Sequence, residues 1–202
     1  MYKMFFTGIF LTGVLGALAC AQEATALPPV PVIAAVPTGV EGFLEVKGNT
    51  VYLYYLPTTN LRKIEARLRS RYLPLAPQYR ELFTSPSYPV ESRISARLQF
   101  LLMRVEDILG MKPLIAKVSI EVLGSRRDLQ AKCFELVHAN EAYKAFYAHG
   151  LRTIFSSEQD IIDSIIAHEL GHAVIDHYFM VPPPSKVAEL LAGYVDEHLE
   201  RE

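Results

Sequence analysis

The stretch His168-Glu169-Leu170-Gly171-His172 sets two imidazoles four residues apart, with a carboxylate beside the first. On an α-helix, residues i and i+4 share a face one turn apart, so both imidazoles can aim at one metal ion. Glu169 sits about 100° round from His168 at ~3.6 residues per turn. Its carboxylate then falls beside the metal, where it can take a proton from a water molecule as general base. One Zn2+ ion suits this donor set.

The flanking residues must supply the helix. Asp160 to Asp176 carries Ile162, Ile166, Leu170 and Val174 as a stripe turned away from the histidines, which predicts a core-facing side. Ser157 is placed to cap its start. Gly171, a weak helix former, offers room for another backbone to pass close.

A catalytic zinc site normally takes three protein ligands and keeps one position open. Val181-Pro-Pro-Pro-Ser185 stops the first helix and permits a reversal, and Lys186 to Leu199 reads as a second helix. Glu189 lies near its start. An antiparallel return would bring that carboxylate to both imidazoles, ahead of Glu197 and His198, which lie farther along and off the Glu189 face. Asp176 and Asp196 are candidates to orient the imidazoles. Tyr194 is a candidate oxyanion donor, with buried packing as its other role.

The segment Glu189-x-x-Ala192-x-Tyr194-Val195-Asp196, taken with the His168–His172 motif, resembles the gluzincins. These are zincin-fold metallopeptidases with a glutamate ligand on the following helix, and the likeness extends to small peptidase MA-like proteins. It spans roughly residues 115–199. It implies His168, His172 and Glu189 as zinc ligands and Glu169 as catalytic base. It also implies that Leu151 to Phe155 is the sheet's edge strand, against which an extended substrate pairs. Three departures stand out. Leu190 occupies the position where these proteins usually carry glycine, the Gly-x-Met-Glu-Asn motif of the aminopeptidases is absent, and Gly193 stands where thermolysin-like enzymes have aspartate.

The rest of the chain supplies the frame. Its 202 residues, half of them hydrophobic, suffice for one domain with a core, and a formal charge of −2 gives no argument for nucleic acid. Arg62, Lys63, Arg67, Arg69, Arg71 and Arg80 form a local basic cluster best read as a solvated helix face. Residues 1–21 read as a signal peptide: Lys3 precedes the apolar run Phe5 to Ala19, and Ala19-Cys20-Ala21 gives a small-x-small cleavage pattern. A retained anchor is one alternative. Lipidation of Cys20 within Ala17-Leu18-Ala19-Cys20 is another. Cleavage after Ala21 would leave Cys133 alone and lipidation would occupy Cys20, so no internal disulfide is expected, and Cys133 reads as a packing residue. Residues 22–40, with prolines at 28, 29, 31 and 37, read as an extended linker.

Residues 41–90 read as an N-terminal extension or prosegment. They comprise a hairpin over residues 42–56 and a helix from Asn60 to Tyr72. Residues 91–202 read as the zincin-like metallopeptidase domain. Its expected order is a helix over Glu91 to Leu109 ended by Gly110, a strand over Ile115 to Leu123, a helix from Ser125 to about Leu136, strands over Ala142 to Ala148 and Leu151 to Phe155, then the two metal-site helices. The expected class is α+β, a small mixed sheet packed on a backing helix and a metal-binding helix, with helices on one side and a C-terminal glutamate helix. The expected function is that of an exported zinc peptidase, periplasmic or secreted, acting on a peptide or protein and touching membrane only through its N-terminal segment. A proteolytically silent zinc-binding module and a cell-envelope amidase are the rival readings.

Overall fold

The structure, a computed structural model, describes residues 36–37, 43–48, 50–69, 83–113, 117–138 and 142–199. The expected signal segment with Cys20, most of the proline-rich stretch, and Arg71 and Arg80 of the basic cluster lie outside these residues. The elements are β1 (Val36–Pro37), β2 (Leu44–Lys47), β3 (Val51–Tyr55), α1 (Leu61–Arg67), α2 (Val90–Leu109), β4 (Val118–Leu123), α3 (Arg126–Val137), β5 (Ala145–Ala148), β6 (Thr153–Ser157), α4 (Asp163–Tyr178) and α5 (Ser185–His198).

Local signals explain most of the boundaries. The Asn60 side chain accepts from the Lys63 N–H to open α1, and Ser125 accepts from the Asp128 N–H to open α3. Gly110 closes α2 in the left-handed conformation at φ 63°, where a Cβ would be strained. Ser157 does not cap α4. It ends β6, its hydroxyl donates to Asp160, and α4 begins after Ile162 without a side-chain cap.

The strands form one mixed sheet in the order β1-β2-β3-β4-β6-β5. β3, β4 and β6 run parallel, while β1, β2 and β5 pair antiparallel with their neighbours. The class is α+β. Val36–Pro37, expected in the linker, pairs with Leu44 and Glu45 at one edge, the part of a sheet where proline is tolerated. The hairpin within residues 41–90, read as an extension of the catalytic domain or a prosegment, is built into the sheet through β3. Val46, Leu53, Ile64 and Leu68 also join one hydrophobic core with α2, β4 and α4.

Two further expectations are corrected. The helices do not all lie on one side. Val118, Ile120, Val122 and Ile154 face the main core, whereas Leu123, Phe146 and Phe155 face the opposite way and pack with Leu129 and Cys133 of α3. Nor is the strand at residues 151–155 the edge. β6 is paired on both sides and all five of its residues are buried, so Ala145–Ala148 takes the edge. Thr153, Ser156 and Ser157 are tolerated in that central strand because each hydroxyl finds an acceptor: Leu151 O, Lys144 O and Asp160 Oδ2.

Charged groups tie the helices together. Arg93 forks onto Glu65 at 2.6 and 2.8 Å, and Arg97 donates to the carbonyls of Glu65 and Leu68, satisfying the end of α1. The hydrogen bonds from Arg93 hold the Glu65 carboxyl below its ordinary value, against the opposing effect of burial. A lowered folded pKa contributes stability above the unfolded value and loses it as pH falls through the folded one. Stability should therefore decline on acidification below about pH 5. Glu65→Gln should cost about 3 kcal/mol at neutral pH by removing the charge that balances the largely buried Arg93 and Arg97 guanidinium groups, and should flatten the acid limb. Urea unfolding of both proteins across the acid range reads this directly.

Candidate metal centre

Helix α4 buries Ile166, Leu170 and Val174 in the main core. The same helical period turns His168 and His172 towards α5. Phe179–Pro184 reverses the chain, and α5 returns antiparallel: His172 meets Glu189 near the turn, and His168 meets Asp196 two helical turns farther on. The close approach occurs at Gly171. A Cβ there would lie 3.4 Å from Ala192 Cα and 3.5 Å from Val195 Cγ2. The space suggested by Gly171 is filled by the backbone of α5.

His172 Nε2 is 3.5 Å from Glu189 Oε1, and His168 Nε2 is 3.8 Å from Glu189 Oε2. One ligand atom from each of His168, His172 and Glu189 lies within 4.8 Å of the other two. Two ligand atoms that are each ~2.1 Å from a tetrahedral ion stand about 3.4 Å apart. The observed spacing is therefore close to what one zinc ion requires, with modest closure needed between some pairs.

The protonation pattern also fits. His168 Nδ1–H donates to Asp196 Oδ2 at 2.8 Å. A carboxylate offers only acceptors, so the proton sits on Nδ1 and the Nε2 lone pair is left facing Glu189. Burial holds His172 below the ordinary histidine value, in the neutral form that binds metals, although the charge of Glu189 opposes this. Burial pushes the Glu169 carboxyl up to about 7, while the nearby His168 and a hydrogen bond from the Tyr147 backbone N–H pull it back.

No family model, curated protein or solved structure matches the chain.

The centre opens into a cleft of about 500 Å³ that follows the edge strand β5. Tyr147 and His149 line it on the α4 side, and Phe146 with Cys133 and Val137 of α3 on the other. Cys133 packs in the second core, as expected, and also reaches this lining. Among the described residues the lining lies between Cys133 and Glu189, with no contribution from residues 41–90.

The other sequence candidates fall elsewhere. Asp176 does not meet a metal-facing histidine: it accepts from Tyr147 Oη at 2.7 Å and pairs with His149 Nδ1 at 2.5 Å. Tyr194 is half-exposed and stacks on His198 at 3.8 Å, while His198 Nδ1 meets the Tyr194 carbonyl. The sequence reading missed Tyr147 and His149. Both are supplied by the edge strand and the turn after it, and the only available signal was a lone histidine before Gly150, with no spacing tied to the motif.

Two outcomes follow. Asp196→Ala should lower zinc affinity about 10- to 100-fold by freeing the His168 ring, as measured by competition with a chelator. Gly171→Ala should be tolerated, whereas Gly171→Leu should wedge α4 from α5, cost about 1–3 kcal/mol and weaken zinc retention in the same assay.

Proposed function

We propose that this protein is a zinc-dependent peptidase of zincin-like architecture, exported from the cytoplasm. The observation that carries the reading is the convergence of His168, His172 and Glu189 beside the carboxylate of Glu169, on the floor of a cleft bounded by a sheet edge. The gluzincin-like motifs favour it, as does the antiparallel pairing of the two helices that bear them. The export reading rests on residues 1–21.

Each group then has a task. His168 and His172 hold the ion through Nε2, and Glu189 through its carboxylate. Bound there, zinc supplies a Lewis acid that polarises the scissile carbonyl and an attacking water. Glu169 takes a proton from that water and delivers it to the leaving amide nitrogen. Asp196 keeps His168 in the ligating tautomer. The Tyr147 N–H steadies the Glu169 carboxylate. An extended peptide runs along β5, the strand that borders the cleft, and pairs with its open edge.

Glu169→Gln should keep one bound zinc and the wild-type fold while losing hydrolysis of a peptide library. That comparison, with metal quantified in the same samples, tests the assignment. A metal-loaded Glu169→Gln protein that still cleaves would sink the mechanism. A wild-type protein that holds zinc and cleaves nothing would point to the zinc-binding module instead.

A further inference from the structure

Among the described residues, all but four of the exposed large hydrophobic side chains fall between Tyr178 and Tyr194. They form two connected parts. The turn between α4 and α5 presents Tyr178, Phe179, Met180 and Val181, with Met180 101% and Val181 78% exposed. The outer side of α5 continues with Val187, Leu190 and Tyr194, spaced three and four residues apart. No charged residue occurs from Tyr178 to Ser185, and Pro182, Pro183 and Pro184 stiffen the segment behind the turn.

We propose that this turn is a lipid-insertion loop that seats the domain on an anionic membrane surface. Its exposure suits a fluid phase: the tip carries two aromatic and two aliphatic side chains, with Met180 and Val181 the most exposed. Its surroundings suit acidic headgroups. Exposed Arg152 lines a hollow of about 490 Å³ with His149, His177, Phe179 and Met180, and exposed Lys186 stands just beyond the prolines. Asp176, the carboxylate in that hollow, is already engaged by Tyr147 and His149. Apolar side chains flanked by cations are the pattern of interfacial anchoring. Pro182 and Pro183 also line the metal-site cleft, so insertion would hold its mouth against the bilayer, within reach of substrates that emerge from it.

The absence of tryptophan from the chain makes the test direct. Full-length Met180→Trp and, as a control on the far side of the sheet, Phe134→Trp each carry a single reporter. With vesicles of phosphatidylcholine and phosphatidylglycerol, Met180→Trp fluorescence should shift to the blue and be quenched by brominated acyl chains. Phe134→Trp should show neither effect, whatever the N-terminal run contributes. A Met180→Asp, Val181→Asp double variant with unchanged thermal unfolding should bind these vesicles about tenfold more weakly. Absent or equal quenching in the two tryptophan variants would overturn the proposal. So would self-association of the wild-type chain without vesicles that the double variant abolishes, since a second copy would then be the occupant.

Discussion

Everything at the candidate centre depends on how closely α5 can approach α4. The three candidate ligand atoms, which an ion would need close together, come from two helices separated by a turn. A side chain at position 171 larger than a methyl group would drive into Ala192 and Val195. Glycine there costs helix stability of about 1 kcal/mol relative to alanine. Part of that cost is offset by packing, since Ala192 and Val195 are fully buried against the contact. The same contact sets the register that opposes His172 to Glu189 and His168 to Asp196.

The sheet supplies the second constraint. The parallel strands β3, β4 and β6 are covered on one face by α2 and α4, and β4 and β6 on the other by α3. Such coverage leaves β5 as the strand that meets the cleft. The Tyr147 amide and the Tyr147 hydroxyl both reach α4, the first at Glu169 and the second at Asp176. Sheet and metal-site helix are therefore tied together at Glu169 and again two turns on at Asp176, which limits how far Glu169 can move relative to the strand.

The site was legible in the sequence because its signals are local. Two histidines at i and i+4 declare a face, a glycine between them declares a close neighbour, and three prolines declare a reversal. Asp196 was legible for the same reason, being two turns from Glu189. The topology was less so. The strand at residues 151–155 was expected at the edge, but Thr153, Ser156 and Ser157 hide a central strand whose hydroxyls are satisfied inside. The cover given by α3 was also hidden, since much of that helix is exposed and only Leu129 and Cys133 are buried. Asp176 lay at a plausible spacing for orienting His172, yet it faces the edge strand and is taken by Tyr147 and His149. Spacing along one helix specifies a direction; which neighbour lies there depends on strand order, and that is set by packing across the whole sheet.

The α4–α5 pair also shows why one amphipathic pattern can serve two ends. Helix α5 has three distinct sides: Ala192 and Val195 buried on α4, Glu189 and Asp196 turned to the histidines, and Val187, Leu190 and Tyr194 turned to solvent. A helix that only had to deliver a glutamate would need the first two. Apolar residues on the third gain only part of what full burial would give, since they remain 41% to 74% exposed. Met180 and Val181 at the tip of the turn are in the same position, with the rigid prolines keeping them there. Exposed apolar surface concentrated on one hairpin, beside the mouth of the cleft, is therefore better explained by what the protein meets than by what holds it together.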